Sequence, residues 1–255
     1  MCKRAVANAG ACDLVSERQP IFNVPGVVVA LLGSFAAVHV VCYLLPDEQA
    51  AWLTAILAFI PARLTGMAHQ LPGGDVASAT QFVTHVFVHG DITHLAVNSA
   101  WLLAFGTSVA RRIGGVRFLV FFIMCGIAGA LVYAAFSRDA YSLMVGASGA
   151  ISGLMGAAFR FLFQALRTGD TESLAGETRQ PPLMSLGATL RDRRILLAVA
   201  GWTVLNIVLA WGSSGLMDGA NVAWEAHLGG FYMGWLTFGF FDRSPPVQHN
   251  AALAE

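Results

Sequence analysis

Six long apolar segments restrict the folds open to this chain more than any other feature. They run over residues 26–45, 94–110, 116–136, 145–166, 195–211 and 222–241. A helix needs roughly 20 mostly apolar residues to cross a bilayer, and all six segments are near that length. Segments of this kind satisfy their backbone hydrogen bonds in hydrocarbon by forming helices. We therefore predict an all-α membrane protein, a bundle of six transmembrane helices.

The composition agrees with a chain that lives in lipid. Hydrophobic residues make up 56% of the sequence and charged residues only 12%, whereas a soluble domain carries about 25% charged residues. The 15 Lys and Arg residues balance the 15 Asp and Glu residues, so the net charge indicates no nucleic-acid partner. The expected surroundings are the lipid bilayer.

The positions of the basic residues predict which side each end of the chain occupies. With six spans and a cytoplasmic N-terminus, all of the Lys and Arg except Arg63 and Arg138 fall on the cytoplasmic side. Loops rich in Lys and Arg stay in the cytoplasm. We therefore expect both termini to be cytoplasmic.

The chain reads as one membrane domain with two polar ends. Residues 1–25 are predicted to be a cytoplasmic segment, because they lack the apolar core of a cleavable signal peptide. Residues 26–241 form the six-span domain, with a long outer loop at 46–93 and an inner loop at 167–193. The tail at 242–255 contains two adjacent prolines and is predicted to be disordered.

Within the outer loop, one apolar stretch is too short to span. Residues Ala50–Ile60 are predicted to form a helix that lies in the membrane interface and stops at Pro61. The later run Leu71–Asp75, with a proline and two glycines, is predicted to be a turn.

Two residues inside the apolar segments have the chemistry of a hydrolase. Ser148 lies in the sequence Gly-Ala-Ser-Gly that begins at Gly146 and ends at Gly149, and His227 follows Ala226. An ionisable His in a membrane segment normally faces the protein interior or a water-filled cavity. A Ser nucleophile needs a base within hydrogen-bond reach, and His is the commonest one.

A second polar cluster precedes the second segment. His94 and Asn98 are four residues apart, so a helix places them on one face, and His89 lies just before that helix. Their side chains can supply hydrogen-bond donors.

Small residues repeat at four-residue spacing beside both Ser148 and His227. Gly149 and Gly153 follow the serine, and the stripe Ala226, Gly230 and Gly234 flanks the histidine. Such stripes allow two membrane helices to approach closely. The two stripes therefore predict that the fourth and sixth segments pack together and bring Ser148 and His227 into contact.

These clusters, in this order on the second, fourth and sixth segments, resemble the rhomboid family of intramembrane serine proteases. The resemblance covers roughly residues 26–241 and implies a rhomboid-like bundle. It implies that Ser148 is the nucleophile and His227 the base. His94, Asn98 and the backbone N–H of Ser148 would form the oxyanion hole, and His89 would be structural, tying the outer loop to the helix ends. The fourth helix would begin at Ser148, below the outer surface. No metal and no cofactor is implied.

The sequence departs from the family pattern around the base. Ser152 stands where the family often has a Tyr that stacks on the catalytic His, so either the base is held less rigidly or another ring, such as Trp224, Phe231 or Tyr232, takes that place. No carboxylate partner for His227 is obvious. Glu225 is two residues away, so a helix turns it roughly to the far side, and Asp218 lies in the preceding outer loop. We therefore favour a dyad without a carboxylate, with the ring of His227 held by packing.

The resemblance implies an endopeptidase that cleaves single-span membrane proteins near their outer membrane boundary. Two other interpretations remain open: a catalytically silent relative that escorts membrane helices, and a small transporter that uses His94, Asn98 and His227 along a polar path. A metal site on His85, His89, His94 and Asp91 is a further alternative, and Ser152 an alternative nucleophile. We expect the protein in a bacterial inner membrane.

Overall fold

The computed structural model describes residues 24–168, 182–216 and 222–242, and in these ranges the chain is almost entirely helical. The predicted N-terminal segment up to residue 23, residues 169–181 of the inner loop, Asp218 and the tail from residue 243 lie outside the described residues. The α-helices are α1 Gly26–Leu44, α2 Asp47–Leu57, α3 Gly74–Thr84, α4 Ile92–Trp101, α5 Thr107–Ile113, α6 Gly115–Phe136, α7 Ser148–Thr168, α8 Leu186–Thr189, α9 Arg193–Leu216 and α10 Trp224–Thr237.

Each predicted apolar segment coincides with helix. Among the described residues, three helices are long and apolar enough to cross a membrane by themselves, at Gly26–Leu44, Gly115–Phe136 and Ser148–Leu166. The other three segments correspond to α4 with α5, to α9 and to α10. The predicted helical membrane bundle is confirmed. The number of six spans and the side on which the termini lie stay predictions.

A π-helical turn at Leu102–Gly106 joins α4 to α5, so helix continues from Ile92 to Ile113. This turn was not predicted from the sequence. The rings of Trp101 and Phe105 stack in parallel across this turn, with centroids 5.4 Å apart. π turns are rare interruptions of α-helices and occur frequently near functional sites.

Helix α7 lies at the centre of the bundle and α1 at its edge. In the apolar window of α7, 72% of the residues are buried inside the protein, against 17% in α1. Helices α6 and α10 pack against α7 and against each other. Residues carried by α7 therefore face protein on nearly all sides.

Glycine lets α7 and α10 touch backbone to backbone. A Cβ atom built on Gly230 would overlap the carbonyl oxygen of Gly149, and one built on Gly234 would overlap that of Gly153. Gly149 in turn faces the carbonyl of Ala226. The predicted contact between the two small-residue stripes is confirmed.

The end of α2 differs from the prediction. The helix ends at Leu57, before Ile60, and Pro61 instead begins a 3-10 helix. The cause is a long-range pairing: Phe59 and Met144 exchange two backbone hydrogen bonds of 2.9 Å. This bridge draws the chain into an extended conformation and ties the predicted outer loop to the segment that leads into α7.

Arg63 holds the outer loop together from inside. Its side chain is buried, and its guanidinium donates to the carbonyls of Ala58 at 2.8 Å, Ala55 at 2.7 Å and Pro72 at 2.9 Å. It therefore links the last turn of α2 to the turn before α3. The predicted turn is confirmed, with Gly73 and Gly74 both at positive φ.

The opposite end of the bundle, which we call the Arg112 end (Arg112, Arg160, Phe161 and Asp242), is closed by paired charges. Arg112 at the end of α5 forms an ion pair of 2.7 Å with Asp242, and both side chains are buried. The Arg112 guanidinium lies 5.0 Å from the ring centroid of Phe161. Arg160 on α7 donates to the carbonyl of Met184 at 2.9 Å.

Candidate active site

A sharp turn places Ser148 at the first position of α7. Gly146 adopts a φ of 110°, which a residue with a side chain rarely tolerates, and its N–H donates to the carbonyl of His85 at 2.9 Å. A Cβ on Gly146 would also lie 2.6 Å from Nε2 of His94. Gly146 is therefore required twice, by its backbone angle and by its neighbour. Helix α7 corresponds to the fourth apolar segment, and its predicted start at Ser148 is confirmed.

His227 reaches Ser148 across the glycine contact. Its Nε2 lies 2.8 Å from Oγ of Ser148, although the two residues are 79 positions apart in the sequence. Both side chains are half-buried. This is the distance that proton transfer from the hydroxyl to the imidazole requires.

Helix α4 brings the predicted donors to the same place. Asp91 caps this helix by accepting from the N–H of His94 at 2.8 Å. A Cβ atom built on Gly146 would lie 2.6 Å from Nε2 of His94 and 3.6 Å from Nδ2 of Asn98. Both side chains therefore lie next to Gly146. Nδ2 of Asn98 is buried and has no acceptor among the described residues.

A third donor lies beside these two. Because Ser148 begins α7, its backbone N–H has no partner within the helix and lies at the positive end of the helix dipole. Donors that converge in this way next to a nucleophile can stabilise a developing oxyanion.

All of these groups line one cavity of about 1340 Å³. Ser148, His227, His94 and Asn98 lie on its wall, as do residues of the segment from Phe136 to Val145. Glu225 also lies on this wall. The cavity is large enough for a peptide segment and for water.

His89 lies behind the donors. It is buried, with its ring centroid 5.1 Å from that of Phe35 on α1 and 5.2 Å from that of His94. Burial, and the neighbouring His94, lower the pKa of His89 to about 4. Its imidazole is therefore neutral near pH 7, and its contacts join α1 to the start of α4.

Ser152 is occupied by a local hydrogen bond. Its hydroxyl is buried and donates to the carbonyl of Ser148 at 2.7 Å. The ring nearest to the imidazole of His227 comes from α9, not from the three aromatic residues named in the sequence analysis. Trp202 lies with its ring centroid 6.4 Å from that of His227, and Phe231 packs on Trp202. Tyr232 instead bonds to Thr203 at 2.8 Å.

One residue at the site was missed by the sequence analysis. Asn206 on α9 is 1% exposed, and its Oδ1 lies 2.8 Å from Nδ1 of His227. The expectation that packing alone holds the histidine ring was therefore wrong. The available signal was the one that identified His227 itself: a strongly polar side chain inside an apolar segment.

The predicted metal alternative is not supported by the positions of its residues. Nδ1 of His85 lies 2.8 Å from the carbonyl of Gln81. In the part of the chain that the structure describes, no three His, Cys, Asp or Glu side chains are grouped as a metal site would require.

The fold and the site define the class: a helical integral membrane protein that carries a bonded Ser–His pair and converging donors at an internal cavity. A rhomboid domain profile matches residues 77–243, about two thirds of the chain. The chain belongs to the rhomboid family.

Several curated relatives are similar to it. The mitochondrial rhomboid protein 1 of Saccharomyces cerevisiae is 30% identical over 182 residues, which is 70% of this chain and 46% of the relative. The rhomboid protease GluP of Bacillus subtilis is 32% identical over 139 residues, or 54% of this chain and 24% of the relative. The putative rhomboid protease YdcA of the same bacterium is 36% identical over 87 residues, or 34% and 41%. The chain thus spans less than half the length of these relatives.

Proposed function

We propose that this protein is an intramembrane serine endopeptidase that cleaves single-span membrane proteins near their outer membrane boundary. The observation that carries the proposal is the 2.8 Å distance between Nε2 of His227 and Oγ of Ser148. The pair lies on the same cavity wall as the donors of His94 and Asn98. The family includes intramembrane serine proteases, and the names of two bacterial relatives contain the words rhomboid protease.

In the first half of the reaction, Ser148 attacks the scissile carbonyl while His227 takes the hydroxyl proton at Nε2. The tetrahedral intermediate carries negative charge on the former carbonyl oxygen. His94, Asn98 and the Ser148 N–H donate to that oxygen. One such donor typically lowers the activation barrier by about 3–4 kcal/mol. His227 then protonates the leaving amine, which departs and leaves an acyl group on Ser148.

In the second half, water from the cavity attacks the acyl group, and His227 takes its proton. The second tetrahedral intermediate collapses, Oγ of Ser148 regains a proton from His227, and the new carboxylate leaves. The protein needs no cofactor for these steps.

The substrate must change shape before it reacts. A transmembrane helix buries its carbonyls in internal hydrogen bonds, so the scissile segment has to unwind into the cavity. Residues with weak helix propensity near the cut reduce the free energy of unwinding. We therefore expect cleavage to favour small or helix-weak residues.

The proposed roles of the supporting residues follow from their contacts. His89 connects α1 to the donor helix, Gly146 keeps His94 next to Ser148, and Gly149, Gly230 and Gly234 set the spacing of α7 and α10. A bacterial inner membrane remains the proposed location; the relatives include bacterial and mitochondrial proteins.

The decisive experiment is labelling of the purified membrane protein with a fluorophosphonate probe, which reacts with activated serines. We expect labelling in the wild type and in Ser152→Ala, and none in Ser148→Ala or His227→Ala. Cleavage of a single-span reporter in liposomes should fall in the same two variants, and the double variant should lose no more than each single one, because the two residues act as a unit.

Other outcomes would support the other interpretations. Labelling lost only in Ser152→Ala would move the nucleophile. No labelling of folded wild type would favour a helix escort, and a function that needs His227 but not Ser148 would favour a transporter.

A further inference from the structure

We propose that Asn206 is a positioning residue that fixes the imidazole of His227 in the tautomer that can act as a base. The proposal rests on the proposed function of Ser148 and His227. It adds a third member to the site, a neutral amide carried by a different helix, where the sequence alone suggested a pair.

The orientation of the Asn206 amide is determined by a carbonyl. Nδ2 of Asn206 donates to the backbone carbonyl of Trp202, one turn earlier in α9, at 2.9 Å. A carbonyl oxygen can only accept, so the NH₂ group must face Trp202. The amide oxygen Oδ1 consequently faces His227.

The orientation of the amide determines the tautomer of the imidazole. Oδ1 lies 2.8 Å from Nδ1 of His227 and can only accept, so Nδ1 carries the proton. A neutral imidazole has one N–H, so Nε2 is left with its lone pair. Nε2 faces Oγ of Ser148 at 2.8 Å and is therefore ready to take the hydroxyl proton.

The tautomer matters because the other one cannot start the reaction. With the proton on Nε2, the imidazole would donate to the serine hydroxyl instead of accepting from it. In the general Ser-His-Asp arrangement, the third group holds the correct tautomer and orientation of the imidazole. Asn206 supplies that hydrogen bond without placing a charge in the membrane interior, where an ionised group is unfavourable.

The surroundings indicate that Asn206 does not contribute to the apolar packing of α9. The half of α9 that begins at Arg193 packs through Ile195 and Val199, which are buried against Met155 and Trp235. Near Asn206, neighbouring side chains such as Val204 at 58% and Val208 at 56% are exposed on the surface of the bundle. Among the described side chains of residues 204–209, Asn206 is the buried one, and its amide oxygen faces His227.

A matched control lies one turn away. Thr203 on α9 bonds to the hydroxyl of Tyr232 on α10 at 2.8 Å, so it links the same two helices without touching His227. Thr203→Val removes a polar bond between α9 and α10 and leaves the bond to the base intact.

The test compares Asn206→Leu, Asn206→Asp and Thr203→Val in the full chain in liposomes. Asn206→Leu removes the acceptor, and we expect kcat to fall about 10- to 100-fold with little change in KM, since misplaced reacting groups lose rate by such factors. The rate of fluorophosphonate labelling should fall in parallel. Asn206→Asp retains an acceptor and should recover part of the lost rate, and Thr203→Val should behave as wild type.

The tautomer itself is read by ¹⁵N NMR of protein labelled at histidine, at about pH 8, where imidazole is neutral. The His227 signals are identified by their loss in His227→Gln. We expect an Nδ1–H tautomer in wild type and Thr203→Val, and the Nε2–H form to appear in Asn206→Leu.

Unchanged kcat, labelling rate and tautomer in folded Asn206→Leu would overturn the proposal, as would an equal loss in Thr203→Val. The NMR readout does not depend on proteolysis. It therefore separates a failure of this inference from a failure of the proposed function, which Ser148→Ala labelling decides.

Discussion

The two ends of the α7–α10 region treat polar groups in opposite ways. At the Arg112 end, Arg112 and Asp242 form a buried ion pair covered by the ring of Phe161. At the cavity end, Ser148 and His227 face about 1340 Å³ of open space. One end buries a packed ion pair, and the other presents a serine hydroxyl and an imidazole to a cavity. The same helices can thus be rigid at one end and reactive at the other.

The largest effect should come from a change that separates the two helices at the cavity end. In Gly230→Ala the new methyl group would overlap the carbonyl oxygen of Gly149, so α7 and α10 must move apart. A displacement of about 1 Å between reacting groups lowers the rate by about a hundredfold. We expect reporter cleavage to fall by at least that factor, while overpacking lowers stability by about 1–3 kcal/mol.

Gly201→Ala is the control for that change. A Cβ on Gly201 meets nothing within 4 Å, so cleavage and thermal stability should stay near the wild-type values. Full activity of Gly230→Ala would show that the glycine contact does not set the distance between Ser148 and His227.

A change at the Arg112 end should affect stability rather than chemistry. Arg112→Ala leaves the buried carboxylate of Asp242 without its closest partner, and breaking such a pair typically costs about 3–5 kcal/mol. We expect a large drop in the denaturation midpoint, with kcat of the remaining folded protein close to wild type.

Replacing both members of the pair sharpens the comparison. Arg112→Met with Asp242→Leu fills the space with apolar groups and should recover much of the stability lost in Arg112→Ala. If kcat fell together with stability in Arg112→Ala, the two ends would be coupled, and the contrast between them would not hold.

The smallest predicted effect is a pH dependence of stability in the predicted outer loop, at His85. Burial lowers the pKa of His85 to about 4, although a hydrogen bond to the Gln81 carbonyl partly opposes this shift. The unfolded chain, with an imidazole pKa near 6.5, binds the proton more readily than the folded one. The contribution of neutral His85 to the free energy of unfolding is therefore fully present above about pH 6.5. Between about pH 6.5 and 4 that free energy falls by up to about 1.4 kcal/mol per pH unit.

His85→Gln removes this titration, so its stability should decline less steeply than that of wild type over the same pH range. Denaturation of both proteins in detergent at several pH values measures the difference. Equal slopes would mean that His85 does not contribute to acid sensitivity.

Much of the fold was predictable from local patterns. The helices follow from the apolar segments, and the contact of α7 with α10 follows from glycines at four-residue spacing. Ser148, His227, His94 and Asn98 were found because polar groups in apolar segments are conspicuous, and the structure brings them together at one cavity.

The features that were missed depend on pairings between distant parts of the chain. The bridge of Phe59 to Met144 ends α2 early, and no local signal marks it. Asn206 and Trp202 were overlooked because their importance depends on which face of α9 meets α10.

The contact of Gly230 with the Gly149 carbonyl has a mechanical consequence. Side chains between two helices can change rotamer and so let the backbones shift, but here no side chain lies between them at the contact. The spacing of Ser148 and His227 is then fixed by direct contact between two peptide backbones, which have little freedom to shift. Lipid composition and temperature can loosen the periphery of the bundle, and this spacing should be the last dimension of the site to change.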